Sequence, residues 1–558
     1  MNIRILPGML LCLITAGTSL AQTAVDSVIV SGQVQRLSAR LYRQSPNVVV
    51  SRTNILRGGA DQSFSAPLQT DGRFRVSVPI IYPLEEMAFQ MGNATTAFLA
   101  TAGSVTITID NDSLYVAAVP FQFGGVNAQV NQQFAQYKAF EAEQLVGKAT
   151  TARQKAIQKA LNGSLPDAFA TINALFISQL TAFSANHTVF PLVTTWVQAN
   201  ARYDAAAYVI DKATETSQRI PTALQTSLFA SPDNLMTPAR ATALGRLGAY
   251  AAAYAAQNSA QSGRSIKVRT IASLLAKYGK DLTPDDREKL ANFEKTNTAR
   301  QADMRYFSKL MERNADTISR VVSYENTIAS ARPLLDSAAL DFLKGHTLAL
   351  AVPQLTLNIV QLLGQHVRPQ IADRHLRQSF DDLLALALRD TARVRLARAA
   401  YLALDKKRTV GPVADGVIVA AGAYDNGGDQ LQKALDRNRG RVIYAVPWSP
   451  ENDPTVQLAQ DIQRLNDVFS PRDLTILYVC TNSDTDDGLW LETIVRSRLR
   501  GEHLRLSESQ TLQASSLLGL HDSSPARLYT TTGKLNKKEA LLPDQFDKLV
   551  AQIRELLK

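Results

Sequence analysis

The sequence predicts a multidomain protein with an N-terminal antiparallel β-sandwich, an all-α middle domain and a C-terminal α/β domain. The chain has 558 residues, more than one hydrophobic core can use. Its apolar periodicity also changes twice, near Gly125 and near Gly411, from alternation to helical spacing and then to mixed strands and helices. We therefore place the three domains at residues 22–125, 126–410 and 411–558.

The first 21 residues predict a secretory signal peptide. Arg4 precedes an apolar segment at 5–14, and Ser19-Leu20-Ala21 is typical of a cleavage site. The apolar segment is too short to span a membrane, and Cys12 lies too early for a lipidated cysteine. We expect an exported protein of the periplasm or cell envelope, with a mature chain that begins at Gln22.

Charge and hydropathy exclude two classes of protein. Lys and Arg outnumber Asp and Glu by 60 to 50, but the basic residues are spread along the chain, so we expect no nucleic-acid partner. Two apolar stretches, at 249–256 and 348–363, are short or interrupted by polar residues, and we interpret both as buried helices. No transmembrane helix is expected in the mature chain.

The sandwich is predicted from short runs in which apolar and polar residues alternate. Clear examples lie at 27–30, 48–50, 74–78 and 105–109, and the last two follow Asp-Gly and Gly-Ser turn signals. Such runs at this spacing favour a small antiparallel structure. A carbohydrate- or surface-binding role for this domain is a weaker hypothesis, since it contains no conspicuous group of aromatic residues.

The middle domain is predicted to contain about ten helices from apolar residues at helical spacing. One such series is Ile172, Phe176, Leu180 and Phe183. Thr283 is expected to cap a helix in which Pro284 occupies the first turn and Asp286 faces the positive end of the helix dipole.

Four arginines lie on the predicted helix around Leu388 and could form a patch for anionic surfaces: Arg389, Arg393, Arg395 and Arg398. Asp390 lies among them. We interpret the group as the solvated face of a helix.

The C-terminal domain is predicted from strands that alternate with helices. Strands are expected at 417–419, 442–446, 474–479 and 527–530, and helices around 456–465, 490–499 and 546–557.

Three motifs in this domain fall in an order that identifies a family. A strand leads into Pro447-Trp448-Ser449-Pro450-Glu451-Asn452, a second strand ends in Val479-Cys480-Thr481-Asn482, and Ser524-Pro525-Ala526 precedes a third strand. Together these segments resemble the thioredoxin-like domain of the TlpA family, which is often exported and tethered to the cell envelope in Bacteroidetes-type bacteria. The resemblance covers 411–558 well and the rest more weakly, because relatives often carry an N-terminal β-sandwich and a helical insert.

The resemblance implies a site at four positions. Trp448 matches the tryptophan of the W-C-x-x-C motif, and Ser449 and Asn452 occupy its two cysteine positions. Pro525 resembles the proline that takes the cis form in the family, lies against the active-site loop and presents backbone to an extended peptide. The site is therefore a degenerate thioredoxin site whose expected partner is a polypeptide or an envelope protein.

The missing cysteines exclude the family's reaction within this chain. Thiol exchange requires a thiolate, and a serine hydroxyl stays protonated near neutral pH and forms no disulfide. After removal of Cys12 only Cys480 remains, so the mature chain has no thiol pair. Ser449 lacks a nucleophile elbow and a histidine at a recognisable spacing, and we interpret Ser449 and Asn452 as residues that satisfy the start of a helix.

We expect no catalytic residue, no metal and no cofactor, and a role in protein or peptide binding or in structure. The six histidines form no metal-binding pattern: His187, His346, His366, His375, His503 and His521. The alternative is a thiol-disulfide oxidoreductase of the TlpA-like family, or a single-thiol variant that uses Cys480. Against it, Cys480 ends an apolar strand, where cysteine is typically buried.

Overall fold

The structure is a computed structural model that describes residues 26–58, 61–92, 94–114, 116–144, 148–229, 235–258, 268–295, 301–352, 355, 357–407, 409–420, 426–481, 487–518, 526–536 and 539–557. The predicted signal peptide and the Ser524-Pro525 dipeptide lie outside the described residues. The chain forms N-terminal, largely antiparallel sheets, then a helical middle region, and then a C-terminal mixed sheet with helices.

The N-terminal region consists of two four-stranded sheets, in the orders β4-β1-β7-β8 and β3-β2-β5-β6. The elements are β1 (Ser27–Gln35), α1 (Ala39–Gln44), β2 (Asn47–Thr53), β3 (Asp61–Pro67), β4 (Arg73–Pro79), β5 (Glu85–Met91), β6 (Ala94–Ala100), β7 (Gly103–Asp110) and β8 (Phe121–Gly125).

Alternation explains how these strands pack. In β4, Phe74, Val76 and Val78 are buried whereas the residues between them are exposed or half-buried. Inward residues of both sheets, such as Val30 and Phe89, belong to one hydrophobic core. All strand pairs are antiparallel except β1 and β7, which are parallel. Alternation predicts which residues face the core, but it carries no information about strand direction.

The middle region contains thirteen described helices: α2 (Ala128–Gln144), α3 (Lys148–Ala160), α4 (Leu165–Ser184), α5 (Pro191–Glu215), α6 (Thr222–Phe229), α7 (Pro238–Asn258), α8 (Val268–Tyr278), α9 (Pro284–Lys295), α10 (Gln301–Arg313), α11 (Ala315–Ala331), α12 (Ser337–Ala351), α13 (Leu357–Val367) and α14 (Arg374–Lys407). The predicted number, about ten, was too low because several helices are short or lack a strong apolar stripe.

The predicted start of α9 is confirmed as a capping box. The Asp286 N–H donates to Thr283 Oγ1 at 3.1 Å, and the Thr283 N–H donates to a carboxylate oxygen of Asp286 at 2.8 Å. The stretch 249–256 lies within α7, where Tyr250 and Ala251 belong to the main helical core. Within the described ranges, no helix combines the length and apolar character that a membrane crossing requires.

The C-terminal region is built on a six-stranded sheet with the order β14-β11-β12-β13-β10-β9. Its elements are β9 (Val410–Ala414), β10 (Val417–Ala420), α15 (Gly427–Arg437), β11 (Val442–Trp448), α16 (Asp453–Ile462), α17 (Leu465–Val468), β12 (Leu474–Cys480), α18 (Asp487–Arg496), β13 (Gly501–Arg505), α19 (Glu508–Leu518), β14 (Arg527–Tyr529) and α20 (Phe546–Leu556). The four inner strands are parallel, and both edge strands are antiparallel to their neighbours.

Both faces of this sheet are buried, which explains the continuous apolar runs of β11 and β12. Tyr444 and Val446 lie in a core with α16, α18 and α20, whereas Ile443 and Ala445 lie in a second core with α15 and α19. The first core also contains Ala397 of α14, so the last helix of the middle region packs against the C-terminal region.

Candidate functional site

The strand and helix that carry the tryptophan motif meet at the carboxyl end of β11. Trp448 is the last residue of β11 and is 1% exposed. Its ring packs edge-on against Tyr478, with 6.4 Å between ring centroids. The indole Nε1 is buried and has no acceptor among the described residues. Trp448 therefore belongs to the core beneath the motif loop and is not a surface contact residue.

Ser449 is held by the turn that starts α16. Its N–H donates to Thr455 Oγ1 at 3.0 Å, and its carbonyl accepts from the same hydroxyl at 3.0 Å. The Ser449 Oγ accepts a hydrogen bond from the Glu451 N–H at 3.3 Å. This hydroxyl bonds to backbone, as in an ST-turn, and none of these contacts brings a base to it.

Asn452 occupies the N-cap position of α16 through its backbone. Its carbonyl accepts from the N–H groups of Thr455, at 2.9 Å, and Val456, at 3.1 Å. The Asn452 side chain makes no cap hydrogen bond, and the residue is exposed. The interpretation of Asn452 as a capping residue is thus correct for its backbone, while its amide side chain points to solvent.

Cys480 ends β12 and is the register partner of Trp448 on β11. It is 0% exposed and belongs to the apolar core that contains Tyr478 and Trp490. Burial at the end of an apolar strand is what the sequence predicts for this residue. A thiol in this position is closed to a disulfide substrate, because exchange needs direct access to the sulfur.

The structure brings three of the four predicted site residues to one end of the sheet. Trp448, Ser449 and Asn452 follow one another across the junction of β11 and α16. Pro525 lies outside the described residues, so its place in the site stays a prediction.

The histidine nearest to these strands is not available as a base. His503 in β13 is 0% exposed, stacks on Tyr478 with 4.7 Å between ring centroids, and its Nε2 lies 2.7 Å from the Leu499 carbonyl oxygen. Burial lowers the pKa of His503 to about 4. It is therefore a neutral core residue. In the described part of the chain, no group of three or more His, Cys, Asp or Glu residues is placed to hold a metal ion.

A pocket elsewhere brings together charged residues that the sequence analysis did not single out. This sheet–helix pocket has a volume of about 370 Å³ and is lined by residues of β5, α2, α3, α4, α5 and α7. Five charged residues line it: Glu86, Lys138, Glu141, Arg153 and Asp204. Its volume falls within the range of small-molecule sites.

Two of its carboxylates are already paired. Glu86 accepts a hydrogen bond from Trp196 Nε1 at 2.9 Å. Glu141 lies 3.3 Å from Lys138 Nζ and accepts from the Tyr137 hydroxyl at 3.4 Å. These contacts fix the wall formed by β5, α2 and α5.

The other two charged groups have no such partner. Arg153 stacks on Phe176, 4.3 Å from the ring centroid, and within the described ranges neither Arg153 nor Asp204 makes a side-chain hydrogen bond or ion pair. Asp204 reaches the solvent of the pocket. Partial removal of its carboxyl group from water nevertheless raises its pKa to about 6, although the positive charge of Lys138 acts in the opposite direction. The pocket thus presents one unpaired guanidinium and one unpaired carboxyl group.

No sequence signal marks these residues as a site. Glu86 lies on β5, Lys138 and Glu141 lie on α2, Arg153 lies on α3 and Asp204 lies on α5. Each has the appearance of an ordinary surface charge on an amphipathic segment. Only the packing of α2, α3 and α5 against one another and against the sheets brings them together.

In comparisons with known proteins, the chain matches no family model, no curated protein and no solved structure.

Proposed function

We propose that this is an exported cell-envelope protein whose C-terminal domain is thioredoxin-like, inactive in redox chemistry, and binds a polypeptide or an envelope protein. The observation that carries the proposal is the chemistry at the start of α16. Ser449 and Asn452 stand where the resemblance places two thiols, and the remaining cysteine, Cys480, is buried.

The topology supports a thioredoxin-like fold. The strand that bears the motif, β11, lies inside the sheet between parallel β12 and antiparallel β14, and α16 begins directly after it. The helix therefore starts at the carboxyl edge of the sheet, where ligand sites of α/β folds lie.

The polar groups exposed at this edge of the sheet can bind a ligand without reacting with it. The Asn452 amide is exposed and offers donors and an acceptor, and Ser449 and Pro450 are half-buried beside it. An extended polypeptide is recognised mainly through backbone hydrogen bonds, which need no thiol.

The experiment is a binding measurement with the full mature chain and a permanently unfolded probe, reduced and carboxymethylated α-lactalbumin. We expect measurable binding that weakens about fivefold or more in Asn452→Ala, because an exposed amide contact is lost. Asn186→Ala, at another exposed position, is the matched control and should bind like the unchanged protein. Equal binding by both variants, or no binding at all, would remove the polypeptide-binding part of the proposal and leave a structural role.

The sheet–helix pocket supports a second candidate function, the binding of a small zwitterion such as an amino acid or a dipeptide. Arg153 and Asp204 are oppositely charged and line the same cavity, and neither side chain makes a hydrogen bond or ion pair within the described ranges. A ligand with one carboxylate and one ammonium group complements both.

This function is tested by the melting temperature of the protein in the presence of free amino acids and dipeptides. We expect stabilisation by the zwitterions and none by their N-acetylated or amidated forms, since each lacks one charge. Asp204→Asn should abolish the shift and Glu143→Gln, an exposed residue of α2 outside the pocket, should preserve it. Equal shifts with blocked ligands would rule out the zwitterion site.

A further inference from the structure

A second pocket lies where the last helix of the middle region, α14, meets the C-terminal sheet. This arginine pocket has a volume of about 330 Å³. Three arginines and one carboxylate line it, Arg393, Arg498, Arg500 and Asp415, together with apolar side chains that include Leu396 and Val495. The cavity therefore has a basic part and an apolar part.

The arginines are not fully neutralised by their neighbours. Arg393 lies 3.4 Å from Asp390, and Arg500 lies 3.3 Å from Asp415. The Arg498 guanidinium makes no hydrogen bond and no ion pair with any residue that the structure describes. Arg498 is exposed, and the partial removal of its guanidinium from water, together with the positive charge of Arg393, lowers its pKa. Like charges are thus held close together at a point that has room for a counterion.

The backbone conformation at Arg498 does not require an arginine side chain. Arg498 has a φ of +50° just after the end of α18, a left-handed position that favours glycine. The turn is closed by backbone bonds alone, from the Leu499 N–H to the Ile494 carbonyl and from the Arg498 N–H to the Val495 carbonyl. Glycine would make the same turn with less strain, so the arginine side chain contributes nothing to the turn.

Leu396 provides an apolar side chain at the edge of the arginine pocket. It is 69% exposed on α14, one turn after Arg393, and borders the same cavity. An exposed leucine on its own needs no explanation, but here it lies beside Val495 in a pocket with a basic rim. Arg393, one of the four arginines interpreted from the sequence as a solvated helix face, therefore also forms part of the wall of a cavity.

We propose that the arginine pocket binds an amphiphilic anion, with a carboxylate or phosphate head between Arg393, Arg498 and Arg500 and an apolar body against Leu396 and Val495. The guanidinium groups offer paired N–H donors that match the oxygens of either head group. Such a ligand would supply the counter-charge that Arg498 lacks and cover the apolar wall at the same time.

The test is calorimetric titration of the full mature chain with decanoate and with decyl phosphate, below their critical micelle concentrations. Decanol and inorganic phosphate each lack one half of the ligand and should bind at least about tenfold more weakly. Arg498→Gly should lose about tenfold or more in affinity while its melting temperature stays unchanged or rises, because glycine suits the turn. Arg395 lies on α14, as Arg393 does, but outside the pocket. Arg395→Ala is the control and should bind like the unchanged protein.

Titration with vesicles of phosphatidylglycerol distinguishes the two sources of such a ligand. If Arg498→Gly weakens binding to the vesicles and to decyl phosphate alike, the pocket takes the head group of a membrane lipid. If it weakens only the binding of the single-chain amphiphiles, the ligand is a free molecule. Equal binding of decanoate by Arg498→Gly and the unchanged protein, or equal affinity for decanol, would overturn the proposal.

Discussion

Trp448 and Cys480 are register partners at the carboxyl ends of two parallel central strands, and both are buried in the same core. The Thr481 N–H donates to the Trp448 carbonyl at 3.3 Å and continues this pairing past the last strand residues. The Cys480 thiol thus lies next to Trp448, beneath the loop that follows β11, and is closed to solvent.

The first prediction concerns the reactivity of this thiol. Because Cys480 is fully buried, we expect no reaction with a bulky aromatic disulfide reagent in the native protein. After denaturation of the chain from Gln22 onward, one thiol per chain should react. The measurement is absorbance after reagent addition with and without guanidinium. Rapid labelling of the native protein would show that the sulfur is accessible and would revive the single-thiol alternative.

The second prediction is a loss of stability in acid that is due to His503. Burial lowers its pKa to about 4, whereas a histidine in the unfolded chain titrates near 6.5. Between these values the unfolded chain binds the proton and the native protein does not, so stability falls as the pH falls from about 6.5 to about 4, and the group has no effect above that window. The full difference is roughly 3 kcal/mol.

The variant His503→Gln tests whether His503 causes this loss of stability. Glutamine can still donate to the Leu499 carbonyl, but it does not titrate. The pH dependence of the unfolding free energy should be shallower in this variant than in the unchanged protein. The exposed His187→Gln is the control and should retain the full acid sensitivity. Identical profiles for all three proteins would contradict a neutral, buried His503.

The third prediction concerns a buried carboxylate beneath α15. Glu502 in β13 is 3% exposed, lies 3.1 Å from Arg437 Nε, and accepts from Asn438 Nδ2 at 2.6 Å. Arg437→Met leaves this charge unpaired and should destabilise the protein by about 2–3 kcal/mol, less than for a deeply buried pair because Arg437 is one-third exposed. In denaturant titrations, Arg439→Met, which removes an exposed ion pair, should cost under about 0.5 kcal/mol.

The fourth prediction concerns the contact between the N-terminal sheets and the helical region. Asp382 of α14 lies 2.7 Å from the guanidinium of Arg52, which is 2% exposed, and accepts from Asn54 at 3.3 Å. Asp382→Ala should lower the free energy of unfolding by about 3 kcal/mol, because it leaves the buried Arg52 cation without this carboxylate. It should also increase proteolysis between the two regions. Asp381→Ala breaks only an exposed pair with Arg368 and should leave both measurements nearly unchanged.

The sequence predicted the elements whose burial follows a simple pattern. The strands β11 and β12 are buried on both faces and are continuous apolar runs, and the capping box of α9 is local in sequence. The strand β13 was missed because it contains Glu502 and His503. Glu502 is buried against Arg437 and Asn438, and His503 is buried against the ring of Tyr478. These partners lie on other elements, far from β13 in the chain.

The candidate sites also differ in whether the sequence predicts them. Trp448, Ser449 and Asn452 are adjacent in sequence, so the resemblance was enough to group them. The two pockets draw residues from segments far apart in the chain, and Arg393 meets Arg498 only after α14 packs against the C-terminal region. Local periodicity shows which face of a helix is polar, but it does not show what that face will meet.

The central proposal is that β11 and α16 carry a thioredoxin-like site that transfers no electrons. It is tested most directly by an insulin disulfide-reduction assay with the chain from Gln22 onward and dithiothreitol as the source of electrons. We predict a rate equal to that of dithiothreitol alone, for the unchanged protein and for Cys480→Ser. A rate above this background that disappears in Cys480→Ser would contradict the account.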